Sequence, residues 1–233
     1  VLCTSELTSA LNACKIKYQK KGFYADFLLQ MLDLKLTLSH TIEKQNKYYR
    51  EENMSKKIVA ISSSLHANSN SETLLSKFVE GAKAAGNEVT VVSLRGKKIN
   101  FCVGCLSCQN TGKCVLDDDA RAIAKLIKQA DVVAFATPIY YYEMSGQLKT
   151  LLDRLNPLYG TDYKFTDVYL LSTAADTDPE TDKRAVSGLE GWIECFERAH
   201  LAGKVFAGGV TDGGEIAGHE GLAEAYATGA KIK

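Results

Sequence analysis

The chain has 233 residues, 45% hydrophobic and 24% charged, a composition that excludes disorder and fits one substantial core with an appendage. Lysine plus arginine balance aspartate plus glutamate at 28 each, so no net basic field recruits nucleic acid to the main domain, or an anionic membrane. No apolar run reaches the roughly 18 residues a membrane helix needs and the N-terminus lacks a secretory pattern, so the expectation is a cytoplasmic, reducing setting and a small partner.

The first residue is Val1, and Met54 opens MSKKIVAISSS, which reads as the natural start of an α/β domain. Residues 1–53 are therefore expected to be a separate helical extension and 54–233 the main domain. Within the extension Phe27, Met31, Leu34, Leu38, Thr41, Gln45 and Tyr48 recur at 4-3 spacing, with Leu28, Leu32 and Ile42 broadening the stripe, which predicts one long helix. The stretch TIEKQNKYYREEN, 41–53, resembles the dimerisation helix that closes MerR-type regulators. Two readings stay open for it, a dimerisation arm and an upstream-translated segment.

From Lys56 apolar runs alternate with helical periods, the mark of a parallel sheet covered on both faces. Strands are predicted at 57–62, 88–94, 131–137, 168–173 and 204–210, and helices at 72–85, 120–129, 146–155, 181–201 and 221–230. Five strands alternating with five helices give a doubly wound α/β domain, whose ligands sit beyond the carboxyl ends of the strands.

After the first strand, SSSLHANSNSE (62–72) crowds serine and asparagine before a helix whose first turn has unpaired N–H groups. A terminal phosphomonoester suits such a loop; simple helix capping is the alternative. The loop has neither a dinucleotide glycine fingerprint nor a Gly-Lys-Ser/Thr motif, which argues against resident NAD and against ATP.

Cys102, Cys105, Cys108 and Cys114 follow the second strand in the spacing C-x2-C-x2-C-x5-C, with Gly104 and Gly112 supplying backbone freedom. Closely spaced thiolates suit a cubane iron–sulfur cluster. Ferredoxin-type runs send the fourth cysteine elsewhere and follow it with proline, whereas Cys114 precedes Val115, so one compact cluster is expected. Zinc, a redox-active dithiol and free thiols are the alternatives. Cys3, Cys14 and Cys195 are scattered and read as small buried hydrophobes. Asp117, Asp118 and Asp119 read as the cap and first turn of the next helix rather than metal ligands.

The third strand leads into TPIYYYEMSGQLKTLLDR (137–154), where Pro138 stiffens a turn and Ile139 to Tyr142 offer backbone amides and aromatic faces to a planar ring. A tyrosine-rich surface loop is the alternative.

Together SSLHANSNSE, CVGCLSCQNTGKCVLDDD, TPIYYYEMSGQLKTLLDR and the closing GGVTDGGEIAGHEGLAEAYATG resemble the flavodoxin-like NAD(P)H-dependent FMN reductases and, within them, the iron–sulfur flavoproteins. The resemblance spans Lys56 to Lys233 and implies a flavodoxin-like five-stranded sheet. It implies FMN contacts at Ser64, Asn70, Ser71, Pro138, Ile139, Tyr140 and Tyr141. A 4Fe-4S cluster on the four cysteines, NAD(P)H as donor and a homo-oligomer are also implied. The family pattern G-S-P-R-x-x-x-N-[ST] is met by Ser64, Asn70 and Ser71. It is broken where Ser63, Leu65 and His66 stand for its glycine, proline and arginine, so His66 is a candidate partner for the phosphate. No side chain is singled out as catalytic, because hydride chemistry belongs to the flavin. A cluster-free FMN or quinone reductase and a redox-sensing regulator remain alternative functions.

Overall fold

The computed structural model describes residues 32–44 and 55–233. By its internal contacts the chain divides into units 1–54 and 55–233. In the first unit residues 32–44 are helical (α1), and Leu34, Leu38 and Ile42 share one face at intervals of four. Phe27, Leu28, Met31, Gln45 and Tyr48 of the expected stripe lie outside the described residues.

The second unit is built as β1 (Lys57–Ser62), α2 (Asn70–Ala84), β2 (Glu88–Ser93), α3 (Ser107–Thr111), α4 (Asp119–Gln129), β3 (Val132–Tyr140), β4 (Glu143–Met144), α5 (Gly146–Arg154), β5 (Asp167–Thr173), α6 (Lys183–Ile193), β6 (His200–Ala207) and α7 (Gly221–Ala230). Five strands pair in parallel in the order β2-β1-β3-β5-β6, while β4 folds back antiparallel on the end of β3. This is the doubly wound flavodoxin-like sheet, with β4 as an addition the sequence did not announce.

Alternation along each strand divides the core. Ile58, Ala60, Val132 and Ala134 pack with Leu74, Phe78 and Ala82 of α2 and Ala225 of α7 on one face. Val59, Ile61, Val133 and Phe135 pack with Ile123 and Ile127 of α4, Leu148 and Leu151 of α5 and Leu189 of α6 on the other. Strands buried on both sides read as continuous apolar runs, which is why they were legible.

Several boundaries differ from expectation. The predicted helix 181–201 ends at Ile193, and the predicted strand 204–210 runs instead from His200 to Ala207. Apolar spacing continues past Ile193 because Phe196 is buried against Trp192, Phe165 and Tyr163, at centroid distances of 4.7, 5.2 and 5.1 Å. Reaching that cluster needs a tight turn, made by the Cys195 and Phe196 amides donating to the Trp192 and Ile193 carbonyls. The chain then joins β5 early, with a register shift at Val168/Tyr169. β3 also outruns its predicted end, carrying Pro138, Ile139 and Tyr140 within a strand rather than a loop.

α2 and α7 touch backbone to backbone at two glycines. A Cβ on Gly81 would strike the Tyr226 carbonyl, and one on Gly229 the Phe78 carbonyl. By contrast Gly191 of α6 faces open space. Gly229→Ala should therefore lower stability by about 1–3 kcal/mol through overpacking. Gly191→Ala should raise it by about 0.5–1 kcal/mol. Urea midpoints followed by far-UV circular dichroism check both signs.

Candidate functional site

Because the main strands are parallel, the segments leaving β1, β2 and β3 all emerge at one edge of the sheet. The first of them is tied to the third. Ser63 donates both N–H and Oγ–H to the Ala136 carbonyl at 2.9 Å. Ser145 donates its hydroxyl to Ser63 Oγ at 2.9 Å and its N–H to Thr137 Oγ1 at 2.9 Å.

Ser69 caps α2, accepting from the Glu72 N–H at 3.4 Å, and its hydroxyl lies 3.0 Å from that of Ser71. Asn70 and Ser71 therefore occupy the first helical turn, whose N–H groups have no acceptors within the helix. The Asn70 side chain is committed to the C-terminal loop: Nδ2 donates to the Asp212 carbonyl at 2.9 Å, and Oδ1 accepts from the Gly214 and Ile216 N–H groups at 3.0 and 3.2 Å. Ser64 is buried, and its Oγ accepts from the His66 N–H at 3.3 Å. His66 is exposed at the loop crest. At the strand end that opens this loop, the Ser62 hydroxyl is buried without a partner.

A cation reaches this loop from β2, a partner the sequence gave no sign of. Arg95 Nη1 donates to the His66 carbonyl at 2.9 Å, and Nη2 lies 3.7 Å from Glu72 Oε2. No spacing rule links Arg95 to a loop some thirty positions earlier; only the β1–β2 pairing joins them.

Pro138, Ile139 and Tyr140 end β3, and Ile139 pairs with Met144 and Tyr140 with Glu143. Tyr141 and Tyr142 form the two-residue turn with φ of 51° and 66°. Left-handed conformation at both positions is the type I′ pattern that glycine and asparagine normally supply. For two tyrosines it is strained, and strain of this kind collects at functional sites. Tyr141 is 98% exposed, its ring free above the edge.

The second segment holds the cysteines. Its ends are zipped: the Lys98 N–H donates to Asp119 Oδ2 at 2.8 Å, and the Asn100 N–H and Nδ2 donate to Asp118 Oδ2, each at 3.0 Å. Asp118 also caps α4 through the Ala120 N–H. Its carboxylate meets Arg154 of α5, Nη1 to Oδ2 at 2.7 Å and Nη2 to Oδ1 at 2.9 Å, with both side chains almost wholly buried. Arg154 Nη1 further donates to the Asn100 carbonyl at 2.6 Å. Burial pushes the Asp118 carboxyl up, but hydrogen bonds from Arg154 and Asn100, with the Arg154 charge, outweigh it and hold its pKa at about 2 against 3.8. The acidic run is structural, as expected, and one member also anchors the loop.

All four cysteines line one cavity of about 430 Å³, together with Leu152, Arg154, Leu155, Asn156, Trp192 and Phe196. Cys108 is buried, Cys114 half-buried, and Cys102 and Cys105 exposed. The intervening chain is wound by left-handed Gly104, Leu106 and Gly112, at φ of 63°, 57° and 67°. Hydrogen bonds from the Ser107 backbone and then its hydroxyl lower the Cys105 pKa, favouring thiolate. An all-thiol donor set on one wound loop suits a soft metal or cluster. In this conformation the sulfurs are not drawn together: among the described residues no three His, Cys, Asp or Glu side chains stand close enough to share a metal ion. Nor is any described helix long and apolar enough to cross a membrane.

Residues 56–178, which include all three segments, match the family model of NADPH-dependent FMN reductases. The chain belongs to that family. Iron–sulfur flavoproteins of Archaeoglobus fulgidus and Methanocaldococcus jannaschii are both 36% identical to it, over 104 residues (45% of this chain, 47% of the relative) and 102 residues (44% and 53%). The chain thus spans about half the length of the curated relatives it matches. Among solved structures, an NAD(P)H:quinone oxidoreductase from Methanothermobacter marburgensis aligns with a TM-score of 0.59 at 19% identity, covering 76% of this chain and 96% of that one. An azoreductase from Bacillus anthracis aligns at 0.58 and 18%, covering 77% and 100%. Both share this chain's fold.

Asp118→Asn strips the buried Arg154 of its counter-charge and should cost about 2–4 kcal/mol at neutral pH. Since the folded pKa of about 2 lies below the unfolded 3.8, the wild-type advantage is complete above the unfolded value and lost as pH falls through the folded one. Chemical denaturation of both proteins from pH 7 to pH 2 should show the gap closing in that window.

Proposed function

We propose that this chain is an FMN-dependent oxidoreductase that takes electrons from NAD(P)H or a reduced partner. They pass through FMN and a 4Fe-4S cluster on Cys102, Cys105, Cys108 and Cys114 to an acceptor. The observation that carries this reading is the convergence of three segments on one sheet edge: the serine-rich loop, the tyrosine hairpin, and a loop whose four cysteines line a single cavity.

Ser64, the first-turn N–H groups of Asn70 and Ser71, and the crest at His66 would hold the phosphate, with Arg95 supplying the positive charge that the loop itself lacks. Pro138, Ile139, Tyr140 and Tyr141 would bound the ring. Asn70, by clamping the 212–216 backbone, fixes the helix end that the phosphate meets. Bound flavin supplies two-electron acceptance from a hydride donor and one-electron release, which is what a reductase coupled to a single-electron carrier requires. The protein's part is to orient the ring, exclude solvent and keep the two centres on neighbouring loops.

A cluster-free FMN reductase is the second reading, favoured by the separation of the four sulfurs in this conformation.

Arg95→Ala should weaken FMN binding to the apoprotein about tenfold, through loss of a charge-assisted hydrogen bond. His66→Ala should keep affinity within about twofold, since its loop is held by backbone contacts and Arg95 supplies the charge. Flavin fluorescence titration at two salt concentrations checks both. Stopped-flow mixing of flavin-loaded protein with NADH and with NADPH should bleach the flavin with at least one; no bleaching with either assigns the donor role to a reduced protein partner.

A further inference from the structure

The hairpin that ends β3 has a fixed stalk and a strained tip. Ile139 pairs with Met144 and Tyr140 with Glu143. Met144 is buried, a Cβ on Gly188 of α6 would lie 3.3 Å from its Cε, and Ser145 after it is tied to Thr137 and Ser63. At the tip, Tyr141 and Tyr142 both hold left-handed φ, 51° and 66°. An Asn-Gly pair would make this turn without strain, so the turn itself gives no reason for two tyrosines. Nor does packing, since Tyr141 is 98% exposed and Tyr142 54%.

The segment beside the tip is acidic. β5 pairs with β3 as far as Thr173 opposite Pro138, so residues 174–182 leave the sheet next to the hairpin. They carry exposed Asp176, Asp178 and Glu180 and no lysine or arginine, while Asp182 is buried against Lys204. The next cation along the chain, Lys183, is already bridged to Glu180 at 3.4 Å.

We propose that Tyr141 and Tyr142 form a platform on which a planar, uncharged aromatic electron acceptor stacks, and that they set acceptor specificity. This rests on the FMN reading above. Phenol rings held clear of the core offer their faces to a second ring system, and a fixed stalk leaves little to be ordered when it arrives. The acidic neighbours disfavour an anionic guest, which points away from a dinucleotide phosphate and toward a neutral acceptor such as a two-ring quinone. Reducing it to the hydroquinone takes two electrons and two protons, a hydride from reduced flavin and a proton from water, and leaves both tyrosines chemically unchanged.

The test uses the full chain loaded with FMN, as wild type, as a phenylalanine variant (Tyr141→Phe with Tyr142→Phe) and as a relaxed-turn variant (Tyr141→Asn with Tyr142→Gly). FMN affinity and urea midpoints are measured first. The flavin is then photoreduced without oxygen, and its reoxidation by naphthoquinone, by naphthoquinone sulfonate and by ferricyanide, which needs no stacking, is followed by stopped flow. The relaxed-turn variant should have a higher urea midpoint and a half-saturating naphthoquinone concentration raised about tenfold more than that of ferricyanide. The phenylalanine variant should keep the wild-type naphthoquinone value within about twofold. For wild type, half-saturation by the sulfonate should fall as salt is raised, while that by naphthoquinone stays constant. A sulfonate response that ignores salt would overturn the choice of an uncharged guest. Equal naphthoquinone half-saturation in wild type and the relaxed-turn variant, or an equal loss with ferricyanide, would overturn the platform while leaving the FMN reading intact. A lowered urea midpoint, or FMN affinity lost in parallel, would also overturn it, by setting the rings to hold the fold or the flavin. A chain that binds no FMN overturns the FMN reading, and this inference with it.

Discussion

The five long strands of this domain all run one way, so each crossover must return over a face of the sheet before the next strand begins. Two consequences follow from that single constraint. Both faces of the inner strands β1, β3 and β5 are buried under helices, which commits them to apolar side chains on both sides. The polar and reactive residues are displaced to the loops at the strand ends, and the serine loop, the cysteine loop and the tyrosine hairpin are neighbours because β2, β1 and β3 are neighbours. The Ser63–Ser145 hydrogen bond joins the first and third of these loops directly.

Electrostatics then decides how the cysteine loop is held. A segment of that length, with glycines and left-handed turns, has little apolar surface of its own to bury: Phe101, Val103, Leu106 and Val115 are all exposed. Its ends are instead locked by two carboxylates, Asp119 through Lys98 and, with more partners, Asp118. Asp118 caps α4, accepts from Asn100 and pairs bidentately with Arg154, so a helix start, a loop end and a neighbouring helix meet at a single buried charge pair. Such pairs contribute little net stability compared with apolar packing, but losing one partner is costly, which makes them effective at fixing one arrangement. Here the arrangement fixed is the wall against which Cys108 and Cys114 rest.

Much of this was legible in the residue order. The β1, β3 and β5 runs are apolar without interruption, and Leu148, Leu151 and Leu152 gave α5 almost to the residue. Ser69 and Asp118 are caps of the kind their positions suggested. The missed features are long-range or shape-dependent. Phe196 looks like one more helical apolar residue until Tyr163 and Phe165 are beside it. The Tyr141–Tyr142 turn carries no glycine or asparagine, so nothing local announced a hairpin. Arg95 and Arg154 reach their partners only through the fold, at separations where no periodicity applies. Asn70 matched a loop pattern, but its side chain turned out to be holding Asp212, Gly214 and Ile216.

We propose that the four-cysteine loop and the flavin edge form one redox unit. Anaerobic purification of the chain, with iron, acid-labile sulfide and flavin quantified on a single sample, tests it most directly. One redox unit should carry about four irons and four sulfides for each FMN. Flavin without iron, persisting after anaerobic reconstitution, would contradict it and leave an FMN reductase whose cysteines carry no cluster.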